Sequence, residues 1–168
     1  MCRIIYIILA PPTKKYILHF TFYTKMTMKL TKHFTLEEFT RSSTAKARGI
    51  DNTVPEKLIP ALRNLCETVL EPLREQAKEP VEISSGYRCP ELNRVVGGKN
   101  TSQHMKGEAC DIWHPDIQTL RKWFAILMGG DFDHLIWERN RKSGRCWIHV
   151  SCKMNKELNR HQVIITDC

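Results

Sequence analysis

The strongest regular pattern in the sequence is a helical stripe between Val54 and Lys78, and it constrains the fold more than any other feature. Leucines and valines recur there at every third or fourth position, which is the spacing of one face of an α-helix. Two prolines interrupt the stripe: Pro60 can lie in the opening turn, whereas Pro72 should kink or divide the helix. We therefore expect a broken helix whose apolar face belongs to the core of a globular domain.

Two further helices are predicted, one before and one after this stripe. Residues 34–39 read Phe-Thr-Leu-Glu-Glu-Phe, a capping-box pattern that predicts a short helix over 36–41. Residues 42–53 are polar and turn-like. A second apolar stripe over 115–128 opens with a proline and ends at two glycines, which is typical of a complete helix.

Short alternating or β-rich segments predict the strands of a sheet. They are residues 81–84, 109–113, 132–138 and 146–152. The connecting segments are predicted as a hairpin loop at 139–145, loops at 85–90 and 95–102, and a polar C-terminal tail that contains Val163–Ile165. This order of helices, strands and hairpin predicts an α+β domain, in which an antiparallel sheet is flanked by helices.

Length and composition exclude several protein classes. The 168 residues suffice for one domain with its own core, and 42% hydrophobic with 26% charged residues exclude a wholly disordered or collagen-like chain. The net charge is +8; without residues 1–25, which carry four basic and no acidic side chains, 22 basic and 18 acidic residues leave +4. Such a charge suits an anionic polymer, either nucleic acid or cell wall, but it also serves simply to keep a protein soluble.

The first 25 residues are predicted to be an extension outside the domain. The apolar run Ile4–Ala10 is seven residues long, at the short limit for a signal peptide. Met26 and Met28 stand immediately before the first structural signal, so we place the domain at residues 26–168 and expect one of these methionines to be the natural start. Without a convincing signal peptide, the protein is expected to be made in the cytoplasm. The seven cysteines are odd in number and lack a Cys-x-x-Cys pair, which favours reduced thiols.

Three segments place side chains that can bind a metal on or beside the predicted strands. Asp111 is flanked by small or apolar residues, and a carboxylate in such surroundings must be paired or bound to a cation. Gly107 would let the chain bend so that His104 folds back toward Asp111. His149 lies in the middle of a half-buried strand, and Glu138 ends the strand across the hairpin.

Two histidines and one aspartate are a common ligand set for a catalytic zinc ion, and Glu138 could then move a proton. Taken singly, each residue has a plainer interpretation. A strand histidine is most often hydrogen-bonded for structure, and Asp111 alone would suit a salt bridge or a turn. The remaining histidines are expected to be structural or surface residues: His19, His33, His114, His134 and His161.

The spacing of the metal-competent residues resembles a known zinc signature. The pattern Ser-x-His-x-x-x-x-x-x-Asp at 102–111, with Gly107 and Ala109 inside it, resembles that of the M15 family of zinc D-Ala-D-Ala carboxypeptidases. The segment Trp-Ile-His-Val-Ser at 147–151 resembles the strand that carries the family's third ligand.

Two more motifs extend this resemblance. Residues 85–90, Ser-Gly-Tyr-Arg-Cys-Pro, resemble the family's Ser-Gly-Tyr-Arg-Ser-Pro loop, with Cys89 where serine is usual. Residues 34–39 resemble the start of the phage and bacterial branch. The similarity covers about residues 28–165, and it is the combination of motifs that makes it specific.

The resemblance implies a fold like that of the DD-peptidases and the Hedgehog signalling domain, with zinc bound by His104, Asp111 and His149. It also implies that Arg88 faces the substrate, where a guanidinium would bind a peptide carboxylate or a developing oxyanion. A surface salt bridge is the alternative role for Arg88.

The general base is implied less directly. Some family members have an acid three residues before the last zinc histidine, where this chain has Cys146. The Hedgehog domain has a Phe-Asp-x-x-x-x-Glu strand before its final histidine, and residues 132–138 are similar. We therefore expect Glu138 to be the base, with Asp133 as the reserve.

The function implied is hydrolysis of a peptide bond in the stem or cross-link peptides of peptidoglycan, by a carboxypeptidase or an endopeptidase. The lack of a convincing signal suits a lysis enzyme that reaches the cell wall only after release from the cytoplasm. The alternative is a catalytically silent, zinc-containing peptidoglycan-binding module of the same fold. A nucleic-acid-binding protein is disfavoured because the basic residues lack interleaved aromatic side chains. The oligomeric state stays open, with a monomer as the default.

Overall fold

The computed structural model describes residues 27–166, which form one five-stranded sheet and six α-helices. The N-terminal extension predicted at residues 1–25 lies outside the described residues, as do Cys2 and Cys168. None of the helices in the described range is long and apolar enough to cross a membrane.

The helices follow the sequence signals with local differences. The capping box forms, because the Glu38 carboxylate accepts a hydrogen bond of 2.7 Å from the Thr35 backbone N–H. The expected break in the long helix takes the form of a π-helical turn at Cys66–Leu70, directly before the segment that contains Pro72. The helices are α1 Leu36–Thr40, α2 Ser43–Arg48, α3 Ile59–Leu65, α4 Glu71–Ala77, α5 Pro90–Val95 and α6 Ile117–Met128, and 3₁₀ turns cover Glu56–Leu58, Gln103–Lys106 and Lys156–Leu158.

The sheet has the strand order β1-β2-β4-β3-β5. The strands are β1 Glu82–Ser85, β2 Ala109–Trp113, β3 His134–Arg139, β4 Cys146–Ser151 and β5 Gln162–Ile165. The pairs β1–β2, β2–β4 and β3–β4 are antiparallel, as predicted, whereas β5 runs parallel to β3 at the edge.

The core lies on one face of this sheet. Ile112 of β2, Ile148 of β4 and Leu135 of β3 are fully buried, and they belong to one apolar cluster with residues of α3, α4 and α6. Because successive side chains of a strand point to opposite faces, the residues that alternate with these three lie on the other face. That second face carries the polar residues of the candidate site.

One local prediction is wrong, and two elements were not predicted. Residues 42–53 are not merely turn-like, because Ser43–Arg48 form α2 with Ser42 as its N-cap. Only Ala45 of this helix is buried, so it has no apolar stripe by which it could be recognised. No element was predicted between the loops at 85–90 and 95–102, where α5 forms, and the tail that contains Val163–Ile165 forms β5.

Candidate metal centre

The sheet places Asp111 and His149 side by side. Asp111 of β2 pairs directly with His149 of β4, so their side chains share one face and lie opposite each other across the two strands. This is the face that alternates with Ile112 and Ile148 and therefore points away from the apolar core. The Asp111 side chain is nevertheless only 10% exposed, because segments that precede β2 in the chain cover it.

His104 reaches this pair through a tight turn. The 3₁₀ turn Gln103–Lys106 ends at Gly107, whose φ of +70° is a left-handed conformation that favours glycine. A Cβ at this position would also lie 3.2 Å from the carbonyl oxygen of Leu58. The turn folds His104 back over the start of β2, as the glycine predicted, and its Nε2 lies 3.2 Å from Oδ1 of Asp111.

Three potential ligand atoms converge at this point. Nε2 of His104 lies 3.1 Å from Nδ1 of His149, which in turn lies 2.9 Å from Oδ1 of Asp111. Three ligands of a tetrahedral zinc ion, each at its usual bond length, stand about 3.3 Å apart. The separations of these three atoms therefore fit a small divalent cation, and together the residues form the only such group of His, Cys, Asp and Glu side chains in residues 27–166.

The protonation of His104 suits a ligand. Its Nδ1 lies 2.7 Å from the carbonyl oxygen of Gly86, so Nδ1 carries the proton and donates, which leaves a lone pair on Nε2. Burial lowers the pKa of His104 and favours the neutral ring. Gly86 itself is required by close packing, because a Cβ there would lie 2.5 Å from Cα of Phe39.

Asp111 is held as an anion by its neighbours. Burial alone would raise its pKa, but His104 and His149 outweigh burial and hold the pKa well below the usual range. While Oδ1 faces the histidines, Oδ2 accepts a hydrogen bond of 2.5 Å from Nη2 of Arg88. The Arg88 Nε donates in turn to Oγ of Ser85, at 3.0 Å. Arg88 is thus partly buried beside the candidate metal centre, in an ion pair with Asp111.

The sequence comparison agrees with this geometry. A family model described as Peptidase M15 matches residues 32–151, which is more than two thirds of the chain. The matched range includes His104, Asp111 and His149. The chain belongs to the M15 peptidase family. No curated protein sequence matches it.

Glu138 of this M15 peptidase lies on the same sheet face as the metal centre. It pairs with Trp147 across β3 and β4, two residues along each strand from the pair Ile136 and His149. Burial raises the pKa of Glu138, and the Asp111 carboxylate raises it further, whereas His149 and Arg88 act in the opposite direction. A half-buried carboxyl group with a raised pKa is suited to accepting and returning a proton.

Asp133, the reserve for the general base, has other partners. Its side chain is fully buried, and Arg160 pairs with both carboxylate oxygens through Nε and Nη2. Burial would raise the pKa of Asp133, but the hydrogen bonds from Arg160 and Gln103 outweigh burial and hold the pKa well below its usual range. An aspartate stabilised so strongly as an anion is a poor proton acceptor.

Two supporting residues of this M15 peptidase were missed by sequence reasoning. Gly86 supplies the carbonyl that orients His104, and Gln103 donates a hydrogen bond of 2.9 Å to Asp133. Because Gln103 precedes His104, this bond ties the turn that carries His104 to the residue before β3 and, through Asp133, to Arg160. Gly86 stands in a recognised motif, which was a usable signal.

Cys146, three residues before His149, begins β4 with its Sγ 3.7 Å from the carbonyl oxygen of Gly144.

Proposed function

We propose that this M15 peptidase is a zinc-dependent metallopeptidase that hydrolyses a peptide bond in the stem or cross-link peptides of peptidoglycan. The observation that carries the proposal is the convergence of His104, Asp111 and His149 on a space the size of a small cation. The M15 family supports the peptidase part, and the motif resemblance supports a D-Ala-D-Ala bond, cut by either a carboxypeptidase or an endopeptidase.

The three residues would hold zinc through Nε2 of His104, Oδ1 of Asp111 and Nδ1 of His149. Zinc bound there would lower the pKa of a water molecule and polarise the carbonyl of a peptide bond. Two imidazoles with one carboxylate are a ligand set that favours zinc and leaves a coordination position open for catalysis. The hydrogen bond from His104 to Gly86 fixes the ring that presents Nε2.

Glu138 would move the proton. In its carboxylate form it accepts a proton from the attacking water, and after bond cleavage it returns that proton to the amine that leaves. The environment of Glu138 supports this role, because burial and the nearby Asp111 carboxylate raise its pKa above that of an exposed glutamate and make it a stronger proton acceptor.

Arg88 would serve two purposes. Its Nη2 fixes Oδ2 of Asp111, so that Oδ1 is the oxygen that faces the histidines. Its positive charge beside the metal centre would also stabilise the carboxylate of a peptide or the oxyanion that develops on the scissile carbonyl.

The test is digestion of purified peptidoglycan and of a synthetic peptide that ends in D-Ala-D-Ala, with release of D-alanine or of new amino groups measured. We expect wild-type protein with zinc to release product and Glu138→Ala to release at least a hundredfold less. A zinc-containing wild type that binds peptidoglycan yet releases no product, like the variant, would support the silent binding module instead.

A second experiment tests where the enzyme acts. Hydrolysis of peptidoglycan in a cell lysate, but not in intact cells that contain the protein, would support action after release from the cytoplasm.

A further inference from the structure

A cleft of about 650 Å³ lies at the end of the sheet, where β2 and β3 end and β4 begins. It is lined by the start of α6 on one side and by the hairpin between β3 and β4 on the other. Trp113 in its wall is two residues beyond Asp111 on β2. With a rise of about 3.3 Å per residue along a strand, the cleft begins roughly 7 Å from the metal centre.

The lining of this cleft is cationic and aromatic. Arg121 of α6, Arg139 of β3 and Arg145 of the hairpin supply three guanidinium groups, and all three side chains are exposed. None of the ion pairs among residues 27–166 includes any of the three. The full lining contains no acidic side chain: Trp113, His114, Pro115, Ile117, Arg121, Trp137, Arg139, Ser143, Gly144, Arg145 and Cys146.

Arg145 is held in place by an aromatic ring. Its guanidinium carbon lies 4.2 Å from the centre of the Trp113 ring, in cation–π contact. Stacking uses the flat face of a guanidinium and leaves its N–H groups, which point outward in the plane, able to bind an anion. Three positive charges around one concave surface, without carboxylates to balance them, raise the local concentration of anions.

We propose that this cleft binds a carboxylate of the peptide substrate about two residues away from the bond that is hydrolysed. The inference rests on the proposed function, because the metal centre sets where the scissile bond lies. An extended peptide covers about 3.3–3.6 Å per residue, so two residues span the distance from the centre to Trp113. Arginine binds carboxylates through two parallel hydrogen bonds, and this geometry makes an acidic side chain the preferred occupant.

A pair of synthetic peptides tests the proposal. Both have the same length and end in D-Ala-D-Ala; one has glutamate two residues before the scissile bond and the other has glutamine. We expect the wild type to prefer the glutamate peptide about tenfold in kcat/KM, with the difference in KM. Arg145→Gln should remove most of this preference. Arg48→Gln, the same change on exposed α2, should leave it intact.

Binding to a turnover-blocked variant separates the failure of this proposal from that of the proposed function. In a Glu138→Gln background, calorimetry should show tighter binding of the glutamate peptide, and Arg145→Gln should abolish the difference. Equal affinities for the two peptides would overturn the proposal. So would a short oligonucleotide that binds through Arg145 while the peptides are not distinguished. If neither peptide is hydrolysed by the wild type, the proposed function fails, but the affinities still decide the role of the cleft.

Discussion

His104 and His149 face each other nitrogen to nitrogen, with Nε2 of the first 3.1 Å from Nδ1 of the second. The proton of His104 is on its other nitrogen, which donates to Gly86, so Nε2 presents a lone pair. Both ring nitrogens also lie within 3.2 Å of the same oxygen of Asp111. Atoms this close need either a proton on Nδ1 of His149 or a cation between them, and the meeting of three such atoms is the physical basis of the metal assignment.

Replacement of Glu138 by glutamine should separate catalysis from metal binding. The amide has nearly the same size but cannot accept a proton, so kcat should fall by about 10²–10⁴. Zinc content should stay at the wild-type level, because Glu138 is not one of the converging ligands. Parallel measurements of kcat and of bound zinc check this, and loss of zinc together with activity would show that Glu138 is structural.

The pH profile should report the raised pKa of Glu138. Its carboxylate form accepts the proton, so kcat/KM should be full above the folded-state pKa and fall as the pH drops through it. Because burial and Asp111 raise that pKa, the acid limb should lie above the value of about 4.3 that is usual for an exposed glutamate. A limb at or below that value in the wild type would argue against Glu138 as the base.

Gly86→Ala should weaken zinc binding, whereas Gly130→Ala should not. A Cβ at Gly86 would lie 2.5 Å from Cα and 2.6 Å from the carbonyl oxygen of Phe39, so the backbone that orients His104 must shift. At Gly130 the nearest atom would be at 3.5 Å, an ordinary contact. Loss of such a supporting interaction typically costs 10–100-fold in metal affinity. Equal zinc affinities of both variants, measured by chelator competition, would contradict the role given to Gly86.

Asp133→Asn should destabilise the fold by about 2 kcal/mol at pH 7, because the substitution removes charged hydrogen bonds at a buried site. The folded-state pKa of Asp133 is below its unfolded value, so the stabilisation is present above the unfolded pKa of about 3.9 and is lost as the pH falls. The difference in the free energy of unfolding between wild type and variant should therefore become smaller toward pH 2. Urea unfolding at several pH values checks this.

Asp131→Asn is the matched control for Asp133, two residues away and partly exposed. It should change the free energy of unfolding by no more than about 0.5 kcal/mol. A variant at Asp133 that behaves like this control would show that the ion pair with Arg160 contributes little to the stability of the fold.

Much of the fold and site could be predicted because the signals were local. The alternation around Asp111 and His149 gave the face of each strand, and the glycine at 107 predicted the turn that returns His104. Helix α2 could not be predicted, because five of its six residues lie outside the core and its sequence carries no stripe.

The supporting contacts depend on segments far apart in the chain. Gly86 is 18 residues from His104, and Asp133 is 27 residues from Arg160. No pattern of neighbours reveals such pairs, because only the packing of separate loops and strands brings them together. The parallel strand β5 was missed for the same reason, since its partner β3 lies on the far side of β4 in sequence.

Metal content tests the central claim most directly. Purified protein supplied with zinc and then dialysed should contain about one zinc ion per chain by mass spectrometry, and His149→Ala should contain almost none. His161→Gln, a change at a half-exposed histidine outside the convergence, should keep the metal. No bound zinc in the folded wild type would contradict the account, and His104, Asp111 and His149 would then be a hydrogen-bonded structural cluster.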